Sequence, residues 1–284
     1  MFIEVVGNLN VDDAIEVIKE ELQNKEKSNV SEIKEIIDKT GMEIETFVHG
    51  AMCSSYSGRC VLSNYFTKRD ANRGGCAQIC RWEFPLYDKN NNMIESETKF
   101  TASSKDLMML TKVKEMIEIG IVSLKVEGRM RSNYYVATVI NTYRNLIDDY
   151  YENKLTEEKV EYYQKILDRV ANREATVQFW DKLPTVNEQY YLGRNEVSNQ
   201  DFLGIVKDYD ETTNMVTITE RNYFQTGDEV EIFGPNIKPF SLKMPDIYNE
   251  DGEKVNIGRH PEEILKFKLD KKVYPNDMIR IKIS

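Results

Sequence analysis

Four cysteines, Cys53, Cys60, Cys76 and Cys80, fall inside a 28-residue window with spacing C-x6-C-x15-C-x3-C, and the other 256 residues contain none. Thiols so concentrated could be nucleophiles, disulfide partners or metal ligands. The opening MFIEVVGNLNVDDAIEVIKE has no basic region followed by an unbroken apolar run, so neither a signal nor a transit peptide is expected. No stretch approaches the roughly 20 apolar residues of a membrane span. The expectation is a cytoplasmic, reducing location, where such a cluster reads as metal-binding or catalytic rather than disulfide-bonded. A nucleophilic cysteine needs a base, and the nearby candidate is His49, four residues before Cys53. A single histidine there is read as structural. A metal site remains. Zinc bound by four thiolates usually sits between paired C-x2-4-C knuckles, which Cys76 and Cys80 alone fit. An iron–sulfur cluster takes thiolates at unequal spacing from irregular backbone. The pattern places a cluster ahead of zinc and leaves both open.

Charge around the thiols differs from the rest of the chain. The net charge is −10, which argues against nonspecific nucleic-acid binding by the whole surface. Residues 49–81 hold Arg59, Lys68, Arg69, Arg73 and Arg81 against Asp70 alone, a local balance of +4. Such an island could hold an anionic substrate or RNA, or it could balance a negatively charged thiolate cluster.

Elements must position these groups. Residues 1–7 read as a strand, 11–24 and 31–40 as helices, and 43–49 as a strand leading into the cysteines. Residues 53–82 show little periodicity and are punctuated by Gly58, Gly74 and Gly75, as suits a ligand loop. A strand pair is expected over 82–88 and 93–101. Ser103 and Asp106 resemble the capping start of a helix over 105–118. A buried strand over 121–126 ends in the trio Lys125, Glu127 and Arg129, read either as an ion-pair network or as catalytic and substrate-facing groups. Helices follow over 132–151, with Val136, Val139, Ile140, Tyr143, Ile147 and Tyr150 on one face, and over 157–170. Strand and helix alternating at this spacing predict parallel βα units. Past residue 187 the segments become short and alternating, as in a small all-β barrel or sandwich assigned to binding or stability. His260 reads as an exposed loop residue. Two domains follow, 1–186 carrying the loop 53–80, and 187–284.

The stretch ETFVHGAMCSSYSGRCVLS, residues 45–63, resembles the signature of the collagenase-like peptidase family U32, E-x-F-x-x-G-[SA]-x-C-x4-G-x-C-x-[LIVM]-S, at every fixed position. The resemblance continues through YFTKRDANRGGCAQICRW, SSKDLMML, SLKVEGRMRSNYYVATVINTYR, FLGIVKDYD and GDEVEIFGP. It implies an α/β protein with a TIM-barrel-like domain followed by a small all-β barrel domain. It also implies an iron–sulfur cluster, [4Fe-4S], on Cys53, Cys60, Cys76 and Cys80, with zinc as the alternative. Relatives of this kind act in RNA hydroxylation. The most similar subgroup makes 5-hydroxyuridine at the tRNA wobble position and draws on prephenate. On this footing Arg59, Lys68, Arg69, Arg73 and Lys125 are candidates for RNA or substrate binding, and Glu127 and Arg129 for catalysis. The alternative is a peptidase, although the chain has no H-E-x-x-H and no serine or cysteine with an evident base. Only 44 residues precede Glu45, where the family has a longer N-terminal half. The expectation is therefore a partial barrel, completed by a second family member, or a noncatalytic subunit.

Overall fold

The structure, a computed structural model, describes residues 3–6, 29–56, 59–94, 100–171, 173–190 and 200–283. The helix expected over 11–24 and Gly58 of the signature lie outside the described residues. Two compact units are present: Met1–Arg129 with Asn172–Val197, and Met130–Ala171 with Ser198–Ser284. Among the described residues no helix is long and apolar enough to cross a membrane.

The first unit is built on β2 (Glu43–Gly50). β1 (Ile3–Val6) runs antiparallel to it, with Ile3 opposite Thr46. α1 (Asn29–Thr40) precedes β2 and buries Ile33 and Ile36. α2 (Leu62–Thr67) lies within the cysteine loop, and β3 (Leu86–Tyr87) pairs with β4 (Met93–Ile94) as an exposed hairpin. β5 (Asp106–Met108) pairs antiparallel with the end of β2, His49 opposite Met108. α3 (Val113–Glu118) leads to β6 (Ser123–Val126), which runs parallel to β2 with Glu45 opposite Ser123. β7 (Ala175–Thr176) completes the unit, parallel to β5. Ile44 and Val48 of β2 are fully buried.

Three expectations are corrected here. The sheet is mixed, since β1 and β5 both run antiparallel to β2, and only the β2–β6 and β5–β7 pairings have the parallel sense expected of βα units. The helix predicted over 105–118 starts only at Val113, after a 3-10 turn at Leu110–Lys112. Asp106 does not cap it. Its carboxylate pairs with the buried Arg173 guanidinium at 3.2 Å, and the following Leu107, Met108 and Met109 are buried beside β2. Tertiary pairing thus overrides a periodic pattern. The strand pair predicted over 82–88 and 93–101 contracts to β3 and β4 plus an isolated Phe84–Phe100 bridge. Asp88 nucleates the turn by accepting the backbone N–H groups of Asn90 and Asn92.

The second unit combines a helical hairpin with an antiparallel sheet. α4 (Asn133–Tyr151) is capped by Ser132, which accepts the Tyr135 N–H, and α5 (Glu157–Val170) by Thr156, which accepts the Lys159 N–H. The buried stripe of α4 includes Tyr135, Val139, Thr142, Tyr143 and Leu146. It is rotated from the expected one, and Ile140 is 49% exposed. The small Thr138 and Thr142 lie on the inner face instead. Tyr163 of α5 donates to Asp149 of α4 at 2.7 Å.

The sheet is formed from β8 (Phe202–Asp210), β9 (Met215–Glu220), β11 (Glu229–Gly234), β12 (Ile237–Lys243), β13 (Ile247–Tyr248), β14 (Lys254–Val255), β16 (Ile264–Lys268) and β17 (Met278–Ile281). Its order is β12-β11-β17-β8-β9-β16-β13-β14, and β10 (Phe224–Gln225) pairs separately with β15 (Ile257–Gly258). Every pairing is antiparallel. Alternation along the strands sends Leu203, Val216, Ile218, Val230, Ile232, Leu265, Phe267 and Ile279 into one core.

Candidate metal centre

β2 delivers the chain into the cysteine loop, and Gly50 is where it can do so. Gly50 has φ +117°, and a Cβ there would lie 2.2 Å from the Glu127 carbonyl oxygen. The Glu127 N–H donates to His49 O at 2.8 Å, so the ends of β2 and β6 are held together without room for a side chain. This brings Glu127 and Arg129 beside the loop. The Glu127 side chain accepts the Arg129 backbone N–H at 3.1 Å. The Arg129 guanidinium lies over Gly74, where an added Cβ would sit 2.5 Å from Nη1.

All four thiols are free. The Ser55 N–H donates to Cys53 Sγ at 3.4 Å and the Gln78 N–H to Cys76 Sγ at 3.3 Å. Crowding around its sulfur pushes the Cys53 thiol above its ordinary value; the Ser55 N–H opposes this, and Cys80, Cys60 and Cys76 push it up further. Cys53 thus feels the other three cysteines. Among the described residues, no group of three or more His, Cys, Asp or Glu side chains is spaced to hold a metal ion. The donor set fits a thiolate-bound cluster in kind.

Small polar side chains fix the loop around these cysteines. Ser63, 1% exposed, accepts the Ala77 N–H at 3.0 Å and donates to Gly75 O at 3.4 Å, bracketing Cys76. Asn72 donates to Cys60 O at 3.4 Å, and Thr101 to Cys80 O at 3.3 Å. Asp70 accepts the Asn72 N–H at 2.9 Å, and its carbonyl oxygen accepts the Gly75 N–H at 2.8 Å.

The basic island divides. Arg59, Lys68, Arg69 and Arg73 are exposed. Arg81 is half-buried and lies 4.0 Å from Asp106. Lys125, at the end of β6, forms an ion pair with Glu45 at 3.1 Å and lies over the Phe47 ring at 5.2 Å. Glu45 also accepts from Ser123 at 2.5 Å. For Lys125 the ion-pair reading is therefore realised. The signature residues Glu45 and Phe47 hold β6 and its lysine against β2.

Sequence reasoning missed Arg173. Its guanidinium reaches Asp106, donates to Ser103 Oγ at 2.6 Å and to Ser104 O at 2.7 Å, and stacks on the Tyr190 ring at 4.3 Å. A lone arginine after a helix carries no periodic signal. Also missed was an apolar cleft of about 50 Å³ beside Met52, lined by Thr46, Phe47, Leu107, Met109 and Trp180 among others. Thr46 Oγ1 is buried there without a hydrogen-bond partner among the described residues.

The cysteine loop lies within a stretch that matches known proteins. The family model described as Peptidase family U32 matches residues 26–190, and that described as Peptidase family U32 C-terminal domain matches residues 198–280. The tRNA hydroxylation protein P1 of Bacillus subtilis (strain 168) is 46% identical over 262 residues, covering 89% of this chain and 61% of its own length. The tRNA hydroxylation protein P of Haemophilus influenzae is 29% identical over 278 residues, covering 80% of this chain and 60% of its own. A Collagenase of Porphyromonas gingivalis (strain W83) is 36% identical over 154 residues, 54% of this chain and 34% of its own. The chain thus spans about three fifths of the length of the first two relatives.

Proposed function

The chain belongs to peptidase family U32, and from that premise we propose that it acts in tRNA hydroxylation, as the prephenate-dependent conversion of the wobble uridine to 5-hydroxyuridine. The observation that carries this reading is the 46% identity to a tRNA hydroxylation protein across 89% of the chain, which includes the cysteine loop. The first unit is taken as part of a TIM-barrel-like domain and the second as a β-barrel. The parallel β2–β6 and β5–β7 pairings support the first assignment, and the antiparallel sheet supports the second. Partners in this reading are tRNA, prephenate, and a second family member completing the barrel.

Cys53, Cys60, Cys76 and Cys80 would hold the iron–sulfur cluster, which when bound supplies one-electron chemistry. The remaining tasks fall to the chain itself. Ser63, Asn72 and Thr101 fix the backbone at the thiols. Glu127 and Arg129 stand at the rim of the loop as the catalytic candidates. The exposed Arg59, Lys68, Arg69 and Arg73 would attract the tRNA backbone.

The test is mass spectrometry of tRNA nucleosides from a strain lacking this chain. Loss of 5-hydroxyuridine, restored by the wild-type chain and not by Cys76→Ala, is expected. Unchanged 5-hydroxyuridine overturns the reading. Anaerobically purified protein should absorb broadly in the visible range and lose this with Cys76→Ala, whereas colourless zinc-loaded protein would assign zinc. A peptidase reading rests on the relative named Collagenase. It requires cleavage of collagen peptides that survives removal of all four thiols.

A further inference from the structure

The face of α2 and the turn that follows it have properties that neither thiol positioning nor the core requires. Tyr65 is 80% exposed and Phe66 51% exposed, and their rings meet edge to face at 5.2 Å. Phe66 also stands against the rings of Trp82 and Phe84, at 6.4 and 6.2 Å, so the exposed rings are backed by others. Exposed apolar surface gathered in one place marks a binding site. The chain runs directly from these rings into the exposed cations Lys68 and Arg69 and, four residues further on, Arg73. Among the described residues none of these three cations forms an ion pair. The one carboxylate between them, Asp70, accepts the backbone N–H of Asn72. In a chain of net charge −10, this is a place where an anion and a flat ring system are both accommodated.

An acidic peptide would use the cations and leave the rings without a matching face. Duplex nucleic acid would also engage the cations, but its bases are stacked on one another and offer the rings nothing. Unpaired nucleotides satisfy both, because each offers a base face and a phosphate. We propose that this face is a stacking platform for single-stranded RNA, with Tyr65 and Phe66 taking base faces while Lys68, Arg69 and Arg73 neutralise the adjoining phosphates. The proposal rests on the tRNA reading and narrows it: the part of the RNA engaged here is a loop rather than a helical stem.

The test uses fluorescence anisotropy of the full chain with labelled single-stranded heptamers and duplexes of equal length, across a salt series. Single strands are expected to bind more tightly than duplex. Tyr65→Ala and Phe66→Ala should each weaken binding by about 5- to 100-fold. Tyr65→Trp should retain binding. Lys68→Gln and Arg73→Gln should each reduce the salt slope by about 0.7. Equal affinity for duplex, or undiminished binding by Tyr65→Ala with an unchanged melting curve, overturns the platform. So does sedimentation showing a dimer that Tyr65→Ala dissociates, since a second copy would then cover the rings. Heptamer binding that meets these criteria in a protein whose deletion leaves 5-hydroxyuridine intact counts against the hydroxylation reading alone. Heptamer binding that fails them while 5-hydroxyuridine is lost on deletion counts against the platform alone.

Discussion

The guanidinium of Arg129 lies over Gly74, two residues before Cys76 and so close that a Cβ at Gly74 would fall 2.5 Å from Nη1. Gly74 also has φ +79°. Gly74→Ala therefore meets both backbone strain and the arginine, but the arginine end is flexible and can swing away. The variant should fold, destabilised by about 1 kcal/mol from the left-handed backbone. On the proposed hydroxylation reading its distinguishing effect should be that of Arg129→Ala, less 5-hydroxyuridine with iron content unchanged. Parallel thermal melts and iron assays check this, and a loss of iron in Gly74→Ala alone would break the equivalence.

Gly50→Ala should behave differently although it is the same substitution. There the obstructing atom is the Glu127 backbone oxygen, 2.2 Å from the added Cβ, and β6 is tied to β2 by the hydrogen bond at that point. Nothing flexible can yield. The expected cost is about 3 kcal/mol or more, read as a sharply lowered melting temperature or insoluble protein. A melting curve matching wild type would show that β2 and β6 can separate.

Ser63 is the signature residue whose job is local. Removing its hydroxyl in Ser63→Ala leaves the Ala77 N–H without its acceptor, at a cost of about 1–3 kcal/mol. The overall fold should persist, because the β2-centred sheet does not depend on this contact. On the proposed iron–sulfur reading, iron bound per chain should fall, and the visible absorbance should bleach faster in air than in wild type. Unchanged iron retention would separate Ser63 from the positioning of Cys76.

How much of this was legible follows from the range of each interaction. The bounds of α5 were visible in the sequence, and those of α4 to within one residue, because helix signals are local. The alternation of β9 and β16 was equally plain. The cysteine segment was legible as largely irregular backbone because glycine spacing is a sequence property, although the helix α2 interrupts it. The Asp106 helix start failed because Arg173, 67 residues away, claims the carboxylate and draws the segment into the sheet. The inner face of α4 was misplaced for a related reason. Threonines count as polar in a pattern, yet Thr142 meets its hydrogen-bonding need by donating to Thr138 O inside the helix and so can be buried. Arg81 looked like one more member of the basic island until its proximity to Asp106 was in view.

Thr46 offers a test of the cleft beside Met52. Its hydroxyl is buried and, among the described residues, has no hydrogen-bond partner. Thr46→Val replaces the hydroxyl with a methyl of similar volume in a largely apolar lining. It should be neutral or stabilise by about 1 kcal/mol, seen as a rise of a few degrees in melting temperature. Destabilisation would mean that the hydroxyl is satisfied in solution.

Glu220 predicts a pH dependence that resides in the second unit. Its side chain is fully buried; Oε2 accepts the His260 N–H at 3.2 Å, while among the described residues Oε1 has no partner. Burial pushes its carboxyl up to about 7, with the nearby Glu263 adding to the rise and the His260 N–H opposing it. In the unfolded chain the group titrates near 4.5. Because the folded value is the higher one, the stabilisation is fully present below about 4.5 and drains away as pH rises towards about 7. Above that the deficit is constant, at most about 3 kcal/mol. Glu220→Gln keeps an acceptor for the His260 N–H and removes the ionisation. Its melting temperature should exceed wild type at pH 8, and the difference should shrink steadily as pH falls below 7 and vanish near pH 4. A difference between the two proteins that does not vary with pH would show that Glu220 ionises normally in the folded state.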